Sequence, residues 1–328
     1  MAATISVITP VFNETENIED LCRTLDEFAV GKAYALELIF VDDGSKDDSF
    51  AKLTAYPFQH TQAKVISLSQ NCGSHIAIRA GLSVADTDYS MLFSADLQEP
   101  VELIDMLYDK MMETGGYDIV YVQKGATKVS GHESLFSKLY AKMVQKHAVS
   151  SFPAGGVNNF MLTRRIREII NAAPERNSSI FLQLLSLGFH TAMVTCDYNA
   201  RKRGKSKWTL SKKIKLLVDS FVSFSFFPLQ MVTLAGMLLF LAGLVYAVYI
   251  LVMKLLVGYA FEAGFPSLIA ILLVGFGITN LSLGIIAEYL WRTLDASRNR
   301  PVFLIDRLVQ IDKDGVSEKK RETPERDG

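Results

Sequence analysis

The sequence predicts an α/β domain with a mostly parallel sheet, followed by an amphipathic helix at a membrane surface and a hairpin of two transmembrane helices. In the first part of the chain, short apolar runs alternate with amphipathic segments of about 10–15 residues, a pattern typical of parallel strands joined by helices. Further on, residues 229–253 and 263–287 contain no charged side chain, and each stretch is long enough to span a bilayer. The basic, periodic segment before the first stretch suits a membrane interface.

The strands of the predicted domain are short apolar runs that end at polar or turn-forming residues. They are expected at residues 5–9, 38–41, 64–68, 89–93 and 118–122. Helix-start signals follow the early runs; for example, Asp48 comes three residues after Ser45, a spacing that resembles a capping box. Strands that alternate with helices in this way form parallel sheets with right-handed crossovers.

Acidic residues follow three of these runs. Glu14 comes after the first run, Asp42 and Asp43 end the second, and Asp96 follows the fourth. Because open α/β sheets bind ligands at the carboxyl ends of their strands, these carboxylates are expected to converge on one crevice. Gathering them is costly unless a cation or hydroxyl groups lie among them. A nucleotide with a divalent metal on Asp96 meets this need; the alternative is that each acid only caps a helix.

Six short motifs occur in an order that resembles one enzyme family. They are Thr9–Glu14, Val41–Ser45, Asn71–Gly73, Ala95–Pro100, Arg203–Trp208 and Arg300–Pro301. Together they extend over nearly the whole chain, and they resemble the motifs of family-two glycosyltransferases with the GT-A fold. More narrowly, the chain looks like the polyprenyl-phosphate glycosyltransferases, the group that includes dolichol-phosphate mannose synthase and the bactoprenol glucosyltransferases.

The resemblance implies roles for particular residues. Those expected to contact the nucleotide are Pro10, Val11, Phe12, Glu14, Asp42, Asp43, Gly73, Ser94 and Ala95. Asp96 and Gln98 are expected to hold Mg²⁺ or Mn²⁺ at the diphosphate, and Asp96 is also predicted to be catalytic. The residues expected to contact phosphate or the acceptor are Lys124, Arg201, Arg203 and Lys205.

Two positions depart from the family pattern. Ser94 stands where relatives usually carry the first Asp of an Asp-x-Asp motif, and Asn158 stands where they carry an Asp proposed as catalytic base. The acceptor implied by the resemblance is a phosphate monoester with a second pKa of about 6, so it is largely deprotonated at neutral pH. No strong base is then needed, and Asn158 is predicted to act in catalysis by orienting the acceptor. An active enzyme is expected, with a catalytically silent nucleotide-binding scaffold as the alternative.

The basic loop Arg201–Trp208 is a generic nucleic-acid signal, but the apolar segments beside it favour a membrane surface. The predicted divisions are a cytosolic GT-A domain at 1–208, an interface helix at 209–228, transmembrane helices at 229–253 and 263–287, and a cytosolic tail at 288–328. Because basic residues flank the spans more than they populate the loop between them, both termini are expected in the cytoplasm. The resemblance implies a bacterial inner-membrane protein and a homotetramer.

Composition and spacing disfavour several other classes. Cys22, Cys72 and Cys196 are odd in number and far apart, so neither a disulfide framework nor a CxxC metal site is expected. The five histidines lack metal-ligand spacing, and no GxGxxG motif follows a strand, which disfavours a dehydrogenase. No basic flank precedes the first apolar run, so no cleavable signal peptide is predicted.

These observations predict an inverting transferase that moves a sugar from a nucleotide diphosphate to a polyprenyl phosphate, with undecaprenyl phosphate as the expected acceptor. UDP-glucose is the first candidate donor, ahead of UDP-N-acetylhexosamine and GDP-mannose, and the lipid-linked sugar would serve cell-envelope glycan modification. A processive polysaccharide synthase is the rival within the superfamily. It would need more spans and, by family pattern, a Gln-x-x-Arg-Trp motif that this sequence lacks.

Overall fold

The computed structural model describes most of the chain. The described residues are 2–113, 115–125, 141–146, 149–153, 155–175, 178–199, 227–252, 255, 264–298, 300–312 and 315–319. The chain divides into two compact units, one made of Met1–Ile214 with Pro301–Gly328 and the other of Lys215–Arg300. The first unit contains a sheet with flanking helices, and the second contains two long helices.

The strands of the first unit form one sheet. In chain order they are β1 Thr4–Val11, β2 Ala35–Asp42, β3 Gln62–Leu68, β4 Tyr89–Leu92, β5 Ile119–Lys124, β6 Asn159–Thr163, β7 Thr191–Cys196, β8 Ile305–Asp312 and β9 Gly315–Lys319. Within the described residues, their order across the sheet is β7-β5-β6-β4-β1-β2-β3-β8-β9.

The central strands β3, β2, β1 and β4 are parallel, as the alternation of strands and helices predicted. β1 lies among them, and Ile5, Val7 and Ile8 have no exposed surface, which is why this strand appears in the sequence as a continuous apolar run. On one side β6 is antiparallel to both β4 and β5. The start of β6 therefore lies beside the carboxyl ends of β4 and β5.

Helices cover both faces of the sheet. In chain order they are α1 Ile18–Phe28, α2 Ser49–Ala55, α3 Ser74–Val84, α4 Leu103–Met111, α5 Arg164–Ala172 and α6 Ile180–Ser186. Leu21 of α1 shares a core cluster with Phe40 of β2. On the opposite face, a Cβ added to Gly81 of α3 would lie 2.4 Å from Cγ2 of Ile8 and 3.2 Å from Cγ2 of Val41. Glycine at position 81 thus permits the close approach of α3 to the central strands.

Residues 288–328 were predicted to form a cytosolic tail, and no strand was expected there. In the structure β8 pairs antiparallel with β3, and β9 pairs with β8. Val309 and Ile311 of β8 are buried, because the pairing places them against the core of the first unit. The segment after the second unit therefore returns to the sheet and covers the edge of β3, which would otherwise expose unpaired backbone groups.

The second unit contains α7, Phe227–Val252, and α8, Phe265–Ser297, which contact each other. These helices occupy most of the segments predicted as spans at 229–253 and 263–287, and α8 continues beyond 287. Among the residues that the structure describes, one stretch, Val274–Asp295, is long and apolar enough to cross a membrane. The two-helix transmembrane hairpin stays a prediction.

Candidate active site

Hydrogen bonds join the loop after β1 to the loop after β2. Asn13 has a φ of +51°; its N–H donates to Oγ of Ser45 at 2.9 Å, and its Oδ1 accepts from the N–H of Lys46 at 2.8 Å. The N–H of Glu14 donates to Oγ of Ser49 at 2.9 Å. These bonds hold the predicted nucleotide contacts that follow β1 beside those that follow β2.

Asp43 connects the loop after β2 to the start of α3. It is 3% exposed, and its two carboxylate oxygens accept from the N–H of Cys72 at 2.7 Å and the N–H of Gly73 at 2.9 Å. Gly44 has a φ of +66°, and a Cβ there would lie 2.8 Å from the backbone N of Asn71. Glycine is therefore required where the two loops meet.

The carboxylate of Asp42 also accepts hydrogen bonds from other residues of the chain. It is 2% exposed and accepts from the N–H of Ser45 at 3.1 Å and from Oγ of Ser67 at 3.2 Å. The charges of Asp42 and Asp43 are therefore stabilised by N–H and O–H donors of the chain itself. Asp96 remains the acid predicted to hold the metal.

Asp96 lies in a tight loop beyond the end of β4, as predicted from the sequence. Oδ1 of Asp96 accepts from the N–H of Gln98 at 3.3 Å, and the C=O of Gln98 accepts from the N–H of Asn199 at 2.7 Å. Leu97 has a φ of +53°, an uncommon conformation for a bulky residue, and it is buried. Asp96 and Gln98 are partly exposed on either side of it, so neither residue is fully enclosed by the fold.

Sequence reasoning missed the role of Glu99, although Glu99 lies inside the Ala95–Pro100 motif. Its carboxylate is 3% exposed and accepts from both the N–H and Oγ of Ser94, each at 2.8 Å. Burial raises the pKa of Glu99, and the two bonds from Ser94 oppose that rise. The sequence did contain a signal for this pair. Ser94 stands where the family usually has an acid, and Glu99 follows it closely in the chain.

This contact limits what Ser94 can do at the site. A serine hydroxyl carries one proton, and here that proton is donated to Glu99. Ser94 can therefore accept a hydrogen bond from a ligand hydroxyl but has no second proton to donate. The sequence predicted that Ser94 contacts the nucleotide, but it did not indicate that Ser94 would act only as a hydrogen-bond acceptor.

Lys124 and Asn158 lie at the edge of the sheet where β4 and β5 have their carboxyl ends. Nζ of Lys124, at the end of β5, lies 5.2 Å from the ring centroid of Tyr198. Burial raises the pKa of Tyr198, and the charge of Glu99 raises it further. Asn158 directly precedes β6, and its N–H donates to the C=O of Val122 at 3.0 Å. The antiparallel pairing of β6, which the sequence did not predict, is what places Asn158 beside the end of β5.

Three predicted phosphate contacts, Arg201, Arg203 and Lys205, lie outside the described residues. In the part of the chain that the structure covers, no three His, Cys, Asp or Glu side chains form a metal-binding group. Asp96 and Gln98 offer oxygen ligands, and Mg²⁺ or Mn²⁺ can be held by one or two carboxylates when phosphate oxygens and water complete the coordination. The two residues thus fit a metal that arrives with a diphosphate.

Relatives of known family match almost the whole chain. It is 31% identical over 309 residues to an uncharacterised glycosyltransferase of Synechocystis sp., a match that covers 94% of this chain and 96% of the relative. It is 32% identical over 310 residues to an undecaprenyl-phosphate 4-deoxy-4-formamido-L-arabinose transferase of Pseudomonas aeruginosa, covering 93% and 90%. It is 30% identical over 310 residues to a prophage bactoprenol glucosyl transferase homolog of Escherichia coli K12, covering 93% and 99%.

The model of the family described as glycosyl transferase family 2 matches residues 6–204. This range begins in β1 and includes the loops that carry Asp43, Asp96 and Asn158. The chain therefore belongs to glycosyl transferase family 2, where its relatives place it in the polyprenyl-phosphate glycosyltransferase group, and it is a glycosyltransferase.

Proposed function

We propose that the protein transfers a hexosyl group, with inversion at the anomeric carbon, from a nucleoside diphosphate sugar to the phosphate of a membrane polyprenol. The observation that carries this proposal is that relatives named for undecaprenyl-phosphate and bactoprenol acceptors match 93% of the chain, a share larger than the GT-A domain alone. Undecaprenyl phosphate is the proposed acceptor, and UDP-glucose is the first candidate donor.

The donor is proposed to bind across the carboxyl ends of β1, β2 and β4. The loops there are already held by the chain's own hydrogen bonds, among them the two that Asp43 accepts, so little ordering is left for the nucleotide to induce. Ser94 would accept a hydrogen bond from a ribose hydroxyl. Asp96 and Gln98 would hold Mg²⁺ or Mn²⁺, which would supply positive charge against the departing diphosphate.

The acceptor phosphate is proposed to approach from the side of β5 and β6. A phosphate monoester is largely deprotonated at neutral pH, so it is itself the nucleophile and needs orientation more than a base. Lys124 would attract its charge, and the Asn158 amide would donate a hydrogen bond to one of its oxygens. Arg201, Arg203 and Lys205 are proposed to close over both phosphates and exclude water that would hydrolyse the donor.

The second unit is proposed to hold the enzyme at the bilayer. Large apolar side chains are exposed on both of its helices, including Leu234, Leu238 and Val245 on α7 and Leu272, Phe276 and Leu283 on α8. Surfaces of this kind mark membrane or protein contacts. Together with an interface helix at 209–228, they favour a two-span anchor at 229–253 and 263–287, with both termini in the cytoplasm of a bacterium. We also propose that the enzyme is a homotetramer in the inner membrane.

One assay separates this proposal from its rivals. Membranes containing the full chain are incubated with a panel of radiolabelled nucleotide sugars and undecaprenyl phosphate, with and without Mg²⁺ or Mn²⁺. Label that can be extracted into chloroform is the expected result. Label in insoluble polymer would instead indicate a processive synthase, and retained nucleotide binding without any labelled product would indicate a silent scaffold.

The role given to Asn158 makes a specific prediction. Asn158→Ala removes the proposed hydrogen bond to the acceptor phosphate, so kcat/KM for the acceptor is expected to fall by about 10–100-fold, the range for a bond to a charged group. Asn158→Asp cannot donate that bond, but it restores the residue usual in the family, which can accept a proton from a monoprotonated acceptor phosphate, so it is expected to lose less. Initial rates at varied acceptor and saturating donor measure both. If both variants match the wild type, the acceptor phosphate does not bind at Asn158.

A further inference from the structure

Glu99 is a buried carboxylate inside the proposed site, and the transfer reaction described above gives it no role. It directly follows Gln98 in the chain and is 3% exposed. Its two oxygens accept from the N–H and Oγ of Ser94, each at 2.8 Å. These bonds close the base of the segment Ser94–Glu99, called the donor loop below, which contains Asp96 and Gln98. The placement of both proposed metal ligands therefore depends on Glu99.

The carboxylate of Glu99 also has neighbours from two other strands. Within the described residues, Nδ2 of Asn159 in β6 and the hydroxyl of Tyr198 after β7 are buried and form no hydrogen bond of ordinary geometry. Both nonetheless interact with Glu99. Burial raises the pKa of Glu99, and the amide of Asn159 opposes that rise; burial, and then the charge of Glu99, raise the pKa of Tyr198. The N–H of Asn199 donates to the C=O of Gln98 at 2.7 Å, so the segment after β7 is also bonded directly to the donor loop.

These neighbours of Glu99 lie next to the residues proposed to contact the acceptor phosphate. Asn159 directly follows Asn158 in the chain. Nζ of Lys124 lies 5.2 Å from the ring centroid of Tyr198. Glu99 is therefore in contact with the loop proposed to hold the donor on one side and with the supports of both proposed acceptor contacts on the other.

A buried carboxylate is well suited to fix such a junction. Hydrogen bonds to a charged acceptor are stronger than bonds between neutral groups, and a low local dielectric strengthens them further. Accurate placement matters in a transfer between two bound substrates, because a displacement of about 1 Å can lower the rate by about 100-fold. We propose that Glu99 is a positioning residue that aligns the sugar held by the donor loop with the acceptor phosphate, without itself contacting either substrate. This proposal rests on the proposed function.

A positioning role and a purely structural role have different consequences. Loss of folded enzyme would lower every reaction of the site by the same factor. Misalignment of the two substrates would lower transfer to the acceptor, whereas hydrolysis of the donor by water needs no alignment with the acceptor and would continue. The ratio of free sugar to lipid-linked sugar therefore separates the two roles, and it does not depend on the amount of folded protein.

The test uses membranes that contain the full chain, with undecaprenyl phosphate and the radiolabelled nucleotide sugar that gives the wild type most lipid-linked label. Lipid-linked sugar is counted in the chloroform phase and free sugar in the aqueous phase. Glu99→Gln keeps the size of the side chain but has one oxygen, so it can accept from only one of the two Ser94 donors. Transfer is expected to fall by about 10–100-fold, and the ratio of free to lipid-linked sugar to rise by about tenfold or more.

Two further variants and one control sharpen this test. Tyr198→Phe removes the hydroxyl near Glu99 but keeps the ring beside Lys124, so the ratio should rise by a smaller factor. Glu99→Asp keeps the charge on a shorter side chain and should also raise the ratio, by less than Glu99→Gln. The control is Glu102→Gln, the same chemical change at an exposed acid whose side chain forms no capping hydrogen bond. Glu102→Gln should leave the ratio unchanged.

The possible failures can be told apart. A wild type that forms no lipid-linked sugar from any donor of the panel overturns the proposed function and the role of Glu99 with it. If the wild type forms that product but Glu99→Gln has the wild-type ratio, the positioning role alone is wrong; if Glu99→Gln does not fold, a wild-type ratio in Glu99→Asp decides in the same way. An equal rise in Glu102→Gln would also overturn the proposal, because any loss of an acid in this segment would then suffice. An unchanged ratio in Tyr198→Phe would contradict the proposed link from Glu99 to Lys124.

Discussion

Asp96→Asn is expected to lower kcat/KM for the nucleotide sugar by about 10²–10³-fold, the range for loss of one group that stabilises developing charge. The substitution removes the charged oxygen proposed to hold the metal but keeps an oxygen that can accept from the N–H of Gln98, a bond of 3.3 Å in the wild type. The fold should therefore persist with a Tm close to that of the wild type. Mn²⁺ titration of the residual activity is expected to require a higher metal concentration.

A matched control for this variant is Asp86→Asn. The side chain of Asp86 is 81% exposed and forms an ion pair of 2.9 Å with Arg164, and surface pairs of this kind contribute little to stability. Asp86→Asn should leave both activity and Tm unchanged. Asp96→Asn with wild-type activity would remove the central residue of the proposed site, whereas equal losses of activity in the two variants would show that the effect is not specific to the site.

Ser94→Asp is expected to damage the enzyme although it restores the residue usual in the family. Glu99 is 3% exposed and its two oxygens lie 2.8 Å from the backbone N and Oγ of Ser94, so a carboxylate in place of the hydroxyl would face a second, buried carboxylate. One of the two must then keep a proton. A pKa raised by about two units corresponds to about 3 kcal/mol of lost stability when both groups ionise.

The pH dependence of this variant has a definite sign. A carboxyl whose pKa is raised in the folded state stabilises the fold at low pH, and that stability is lost as pH rises through the raised pKa. The stability deficit of Ser94→Asp relative to the wild type should therefore be larger at about pH 8 than at about pH 5. Denaturant unfolding at the two pH values measures it.

A second substitution tests whether Glu99 is the cause. Glu99→Gln in the Ser94→Asp background replaces one carboxylate with an amide that can donate to the other, so most of the lost stability should return. Ser69→Asp introduces the same charge at an exposed serine and should change stability by less than about 0.5 kcal/mol. A Ser94→Asp variant as stable as the wild type at both pH values would contradict the opposition of charges described for the pair.

Much of the first unit could be predicted from local patterns. The apolar runs that became β1 to β4 are buried on both faces, so they differ plainly from the amphipathic segments that became α1 to α3. Asp42, Asp43 and Asp96 were correctly expected at the carboxyl ends of their strands for the same reason. The signals that mark these elements lie within the elements themselves.

Other features depend on contacts between distant parts of the chain. Nothing near residues 305–312 indicates that β8 pairs with β3, since the partner lies on the far side of the second unit in the sequence. The antiparallel placement of β6, which brings Asn158 to the end of β5, likewise depends on which strands pair with β6. Local periodicity indicates which residues can form a strand, but the partner of that strand is selected by packing over the whole sheet.

The sequence by itself determined that this protein is an α/β glycosyltransferase with acids at the ends of its central strands, because strand periodicity and motif order are properties of short segments. Only the tertiary structure decided how those acids are used: Asp42 and Asp43 accept bonds from neighbouring loops, and Glu99 is buried against Ser94. The physical reason is that the charge state and bonding of a carboxylate depend on the donors and the solvent around it, and folding brings those donors from other segments.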